Sequence, residues 1–182
     1  MDLVDLIAEK RFLGQEFLTW LWYKSDERGG SIYLPGAGGD ILLVFEKHLL
    51  LEYGEGEAFE KLICQGLQAE LQEARTGLAM GKKLEQARIL LRRGDFEWRF
   101  TLKGSTMEYR SVRLPKTMSQ TEENEDPAAV EGMLLDRIGL IEELVRTIDE
   151  LFRVFLILRT GSDWPRELGL VREWIHKGAS RP

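Results

Sequence analysis

The chain has 182 residues, of which 43% are apolar, and carries a formal net charge of −6. That length buries a core without covalent staples, and the single cysteine, Cys64, excludes an intrachain disulfide and fits a reducing cytoplasm. No apolar run reaches the roughly 18 residues of a membrane span, and the first residues (Met1, Asp2, Leu3, Val4, Asp5) are acidic where a signal peptide is basic.

Residues 2–24 read as a helix: Leu3, Leu6, Ile7, Leu13, Phe17, Trp20 and Leu21 recur at three and four, with no proline. Phe12 to Tyr23 holds five aromatics and three leucines, a load that needs a cover. Gly14 weakens this helix and allows a bend. Trp22 and Tyr23 fall off the main stripe and must face a sheet or another subunit. The glycines between Gly29 and Gly39 end the helix, and Gly36 to Gly39 lead into a strand. A phosphate cradle needs a helix there instead.

A hairpin is expected from strands 41–46 and 49–53 joined near Lys47-His48, with a third strand from Phe59 to Cys64. Residues 68–80 read as a helix closed by Gly81. Residues 77–83, GLAMGKK, have the wrong glycine spacing for a P-loop. The next hairpin is the best specified. With Gly94-Asp95 as a two-residue loop, the pairs Leu91–Trp98, Ile89–Phe100 and Ala87–Leu102 put apolar residues on one face. Arg88, Arg92, Arg99 and Lys103 then share the other face with Glu97. A further strand runs from Met107 to Leu114 and carries Arg110 and Arg113.

Residues 116–127 are an acidic stretch without apolar period, expected as a solvated linker. Asp126-Pro127 opens a helix that runs to about Arg159. Leu134, Ile138, Ile141, Val145, Ile148, Phe152 and Phe155 step by four and three along it, a heptad seam. The seam packs on the first helix and sheet, or pairs in part with another subunit. After Gly161, capped by Ser162 or Asp163, a final helix carries Leu168, Val171, Trp174 and Ile175.

Charge is segregated. From Lys82 to Lys116 there are ten basic and four acidic residues, and from Thr117 to Leu151 two basic and ten acidic. One reading is a solvated sheet face beside an acidic linker and helix; the other is a basic sheet surface that meets phosphates. The usual enzyme constellations are absent from the sequence. His48 and His176 are the only histidines, no metal-ligand spacing occurs, and Cys64 suits a buried thiol. No cofactor and no enzymatic activity are expected; a metal-dependent nuclease built from scattered acids stays open as an alternative.

Four blocks in one order resemble the second half of RdgC-like recombination-associated proteins: Leu6–Glu27, Leu71–Leu91, Glu97–Gly104 and Ile148–Arg159. The resemblance implies DNA binding with little sequence preference, association with the nucleoid, and ring-like dimers around duplex DNA. The chain begins where the family's C-terminal half would begin, so the N-terminal half is expected to be missing or supplied by a separate chain. Ring closure is then in doubt.

The expected fold is α+β. An antiparallel sheet of four to six strands is flanked by an N-terminal aromatic helix, a long C-terminal helix and a short final helix. Residues 1–116 hold the first helix and sheet, 117–127 the linker, and 128–182 a helical part packing on the same domain. The expected function is non-enzymatic, sequence-independent binding of duplex DNA in recombination or nucleoid organisation, in a cytoplasmic protein that does not enter the membrane. Arg88, Arg92, Arg99 and Lys103 would meet phosphates, flanked by Lys82, Lys83, Arg110 and Arg113. The competing expectation is a protein–protein or homodimer module without DNA binding, with Trp22, Tyr23, Ile148, Phe152 and Phe155 at the interface.

Overall fold

A computed structural model describes residues 12–34, 39–53, 60–65, 68–116 and 127–179. The first part of the expected N-terminal helix and the acidic linker lie outside the described residues.

The element order is α1 (Phe12–Asp26), β1 (Ser31–Leu34), β2 (Gly39–Tyr53), β3 (Glu60–Gln65), α2 (Gln68–Ala79), β4 (Lys83–Arg93), β5 (Phe96–Lys103), β6 (Glu108–Arg113), α3 (Pro127–Thr160) and α4 (Trp164–Ala179). A short 3-10 turn, Glu27–Gly30, joins α1 to β1. The six strands form one antiparallel sheet in the order β1-β2-β4-β5-β6, with β3 also paired to β2. The fold is α+β, as expected.

The expected hairpin at residues 41–53 is instead one continuous strand. β2 runs through Lys47-His48 and pairs with β4 on both sides of a register shift between Phe45 and Leu49. That dipeptide supplies neither glycine nor Asn or Asp for a tight turn. A bulge absorbs the irregularity, and because the shift is even, Phe45 and Leu49 both stay buried. The β4–β5 hairpin has the expected register throughout, including Leu91 opposite Trp98 and Arg92 opposite Glu97. Gly94 sits at φ +56°, which the first position of a type II′ turn demands.

Burial alternates along β4 and β5, so one sheet face is covered and the other is not. The cover is the helices. α1 is largely enclosed: Phe17, Leu18, Trp20, Leu21, Trp22 and Tyr23 are all buried, while Gln15, Glu16, Thr19 and Lys24 are only partly so. Phe17 packs edge-on to Phe152 at 5.0 Å and Trp20 lies 5.5 Å from Phe155. Trp22 stacks on Phe45 of the sheet and meets the edge of Trp174. Behind them the Arg75 guanidinium lies 4.6 Å from the Trp174 ring and 5.5 Å from Trp22, and pairs with Asp26. This clamp ties α2, α1 and α4 together.

Gly14 lies in the first turn of the described part of α1. It lets α1 approach the β5–β6 turn so closely that a Cβ there would overlap the Gly104 carbonyl oxygen. Beside this contact the buried Glu85 carboxylate accepts hydrogen bonds from Gln15 Nε2 (2.6 Å) and the Ser105 hydroxyl. The buried charge is thereby satisfied.

Gly14→Ala should destabilise the fold by about 2 kcal/mol or more, since backbone on both sides of the contact must move. Gly132→Ala, on the open face of α3 with nothing nearby, should stabilise by up to about 1 kcal/mol. Urea midpoints of the two variants check the opposite signs. Burial, reinforced by the Asp149 charge, holds the Tyr109 phenol above its ordinary range. The unfolded chain ionises near pH 10 while the folded one stays neutral, so this contribution is full below about pH 10 and lost as pH rises. Urea titrations at pH 8 to 11 should show stability falling above about pH 10, and the fall should be smaller in Tyr109→Phe.

Candidate nucleic-acid interface

The uncovered sheet face carries most of the expected contact residues. The register aligns Arg88 with Thr101 and then Arg110, and Leu90 with Arg99 and then Arg113. It also brings Lys103 beside Glu108 and Arg92 beside Glu97. Six cations (Arg88, Arg92, Arg99, Lys103, Arg110, Arg113) therefore share one face. Alternation puts Arg88, Arg92, Arg99 and Lys103 there, since their neighbours Ile89, Leu91, Trp98, Phe100 and Leu102 are buried, and a register shift between Arg99 and Thr101 brings both Arg110 and Arg113 to the same face.

Three carboxylates interrupt this field. Glu46 of β2 lies 2.7 Å from Arg88 and 3.7 Å from Arg99. Glu97 is 2.6 Å from Arg92 and 3.0 Å from Arg99. Glu108 is 2.8 Å from Arg110. Hydrogen bonds from Arg92, and then from Arg99, hold the Glu97 carboxyl below its usual range, and Arg110 does the same for Glu108. The face is thus a mosaic with an excess of three positive charges among its own side chains, and Lys103 also lies 3.9 Å from the buried Glu85 carboxylate. Arg113 is the exposed cation for which no described carboxylate is a partner. Sequence reasoning weighed Glu97 but missed Glu46 and Glu108. Glu108 was legible from the β5–β6 register, whereas Glu46 required knowing that β2 is β4's neighbour.

Lys82 and Lys83 do not flank this face. They stand at the start of β4 and line a groove among α1, α2 and α4 that also includes Trp20, Trp164 and His176. Lys82 is held there by Glu60 at 2.6 Å. Lys83 stands five positions before Arg88, about 17 Å along an extended strand.

The expected interface residues are also elsewhere. Trp22, Tyr23, Ile148 and Phe155 are buried within the chain's own core, and Phe152 is half-buried against Phe17 and Phe155. The seam divides instead. Its C-terminal half packs on α1, while Leu134, Ile138 and Ile141 remain exposed at 58%, 44% and 46%, joined by Val130 and Leu135. The aromatic residues that α1 needs as partners occur only in the C-terminal half, a difference visible in the sequence.

Among the described residues no group of three or more His, Cys, Asp or Glu side chains is placed to hold a metal ion. No helix among them is long and apolar enough to cross a membrane. Comparison of the chain with protein-family models, curated proteins and solved structures finds no match.

Proposed function

We propose that the open sheet face binds duplex DNA without sequence preference, as a non-enzymatic component of recombination or nucleoid organisation. The observation that carries this reading is the concentration of six cations against three carboxylates on a face that no described helix covers, in a chain whose total charge is −6. The resemblance of the four sequence blocks points the same way. Arginines at about 4.8 Å strand spacing suit phosphate oxygens, and nothing in the mosaic reads base edges. The internal ion pairs do not forbid this. An exposed pair contributes roughly 0–1 kcal/mol, so a phosphate competes for the guanidinium at modest cost.

The excess charge sets the expected salt dependence. Neutralising three phosphates gives a slope of log K against log salt of about −3, and engaging all six cations about −5. Labelled duplex titrated at several salt concentrations should give a slope in this range. The combined variant Arg88→Glu, Arg92→Glu, Arg99→Glu should abolish binding at low salt while leaving the thermal midpoint within a few degrees. Equal binding by this variant would remove the basis of the proposal. Conversely, Glu46→Gln and Glu97→Gln each release arginines from their carboxylates, and each should tighten DNA binding several-fold.

A second reading has its own observation. The exposed apolar half of α3 is unlike the rest of the helix surface and supports a protein–protein interaction module. Sedimentation velocity and the binding assay below test it independently of DNA.

A further inference from the structure

Between the end of β6 and the exposed half of α3 lies an open groove of about 720 Å³. Its floor is aliphatic, formed by Val112, Leu114, Met133, Leu134 and Ile141. Arg113, Lys116 and Arg137 line its rim, and among the described residues no carboxylate lines it. None of these three cations is ion-paired with a described residue. On the neighbouring sheet face the other cations have carboxylates within 4 Å. Among the described residues the groove is therefore where positive charge without a counter-ion meets exposed aliphatic surface.

We propose that this groove docks an acidic peptide segment of another protein, anchored by aliphatic or aromatic side chains. The inference rests on the interaction reading of α3. Charge complementarity selects the occupant: acids on the segment meet Arg113, Lys116 and Arg137, and its apolar side chains cover Leu134 and Ile141. Val130 to Ile141 spans about 17 Å of helix, the reach of about five extended residues. A nucleic acid would satisfy the cations but leave the floor wet, and no aromatic lines the groove to stack a base. A bilayer surface is met by a helix lying flat with its cations spread along a convex face, whereas here they ring a concavity. An isologous contact with a second copy would add three further cations to a groove whose cations have no described counter-ion.

The test is fluorescence anisotropy with a labelled nine-residue peptide in which pairs of Asp or Glu alternate with Leu, Ile and Phe. A labelled nine-residue Glu-only peptide, duplex DNA and phosphatidylglycerol-containing vesicles run beside it. The mixed peptide should bind in the micromolar range and the Glu-only peptide at least tenfold more weakly. Leu134→Asp and, separately, Arg113→Glu with Arg137→Glu should each weaken the mixed peptide at least tenfold. These side chains are exposed, and unchanged thermal midpoints confirm that the variants fold. No binding of the mixed peptide up to about 1 mM, or equal binding of the Glu-only peptide, overturns the proposal. So does Leu134→Asp weakening DNA or vesicle binding in place of peptide binding. If sedimentation shows that Leu134→Asp converts a dimer to monomers, the occupant is a second copy: the peptide proposal falls and the interaction reading stands. A monomer that binds no peptide ends both.

Discussion

The enclosure of α1 is the constraint on which the rest of the structure depends. A helix with aromatic residues on several sides needs a wall against each of them, and only Gln15, Glu16, Thr19, Lys24 and Asp26 of α1 keep contact with solvent among its described polar residues. The sheet supplies the floor through Phe45 and its buried neighbours, and α3 supplies one wall through Phe152 and Phe155. α4 closes the remaining side. It also satisfies the polar atoms that the aromatics bring in, since Glu167 accepts from Trp20 Nε1 at 3.0 Å and pairs with Lys24 at 2.8 Å. The final helix is thus part of the core's closure. The absence of side chains at Gly14 and Gly104 sets the depth at which α1 rests.

Placing every described helix on one side has a direct electrostatic consequence. Among the described residues the opposite sheet face is left open, and alternation along β4 and β5, with a register shift along β6, fills it with long charged side chains. These stems cover apolar backbone surface while their heads stay wet. Carboxylates from adjacent strands then limit like-charge repulsion between the arginines. A face of uninterrupted arginines would bind phosphate more strongly but strain the sheet at low salt. The mosaic keeps an excess of three positive charges while each arginine except Arg113 has a local counter-ion.

The parts of this arrangement legible in the sequence are those set by short-range patterning. The β4–β5 register follows from alternation around Gly94-Asp95, because any slip would bury Arg88 or Arg99. The ends of α2 and α3 follow from Gly81, Pro127 and Gly161. What periodicity does not state is which neighbour an element meets. The stretch 41–53 contains two apolar runs, and only tertiary pairing with β4 shows that the chain passes straight through Lys47-His48. The seven seam positions of α3 look equivalent at heptad spacing, yet Ile148 and Phe155 are buried while Leu134, Ile138 and Ile141 are exposed. The same limit explains the misplaced interface residues. Trp22 and Phe155 are apolar enough to dock a partner, but a partner inside the chain is already in contact with them.

The two candidate surfaces are not independent, because Arg113 belongs to both. On the sheet it is paired in register with Arg99, within the cationic field. At the end of β6 it also lines the groove beside Leu134 and Ile141. A guanidinium has one planar fork of donors and engages one carboxylate or one phosphate bidentately. An acidic segment seated in the groove would therefore withdraw Arg113 from the face. By reducing the excess from three to two, it would remove about one unit from the salt slope of DNA binding. The coupling is reciprocal: DNA that holds Arg113 weakens the acidic segment by the same factor. Neither surface needs to move for this exchange, since one exposed side chain at the shared edge carries it.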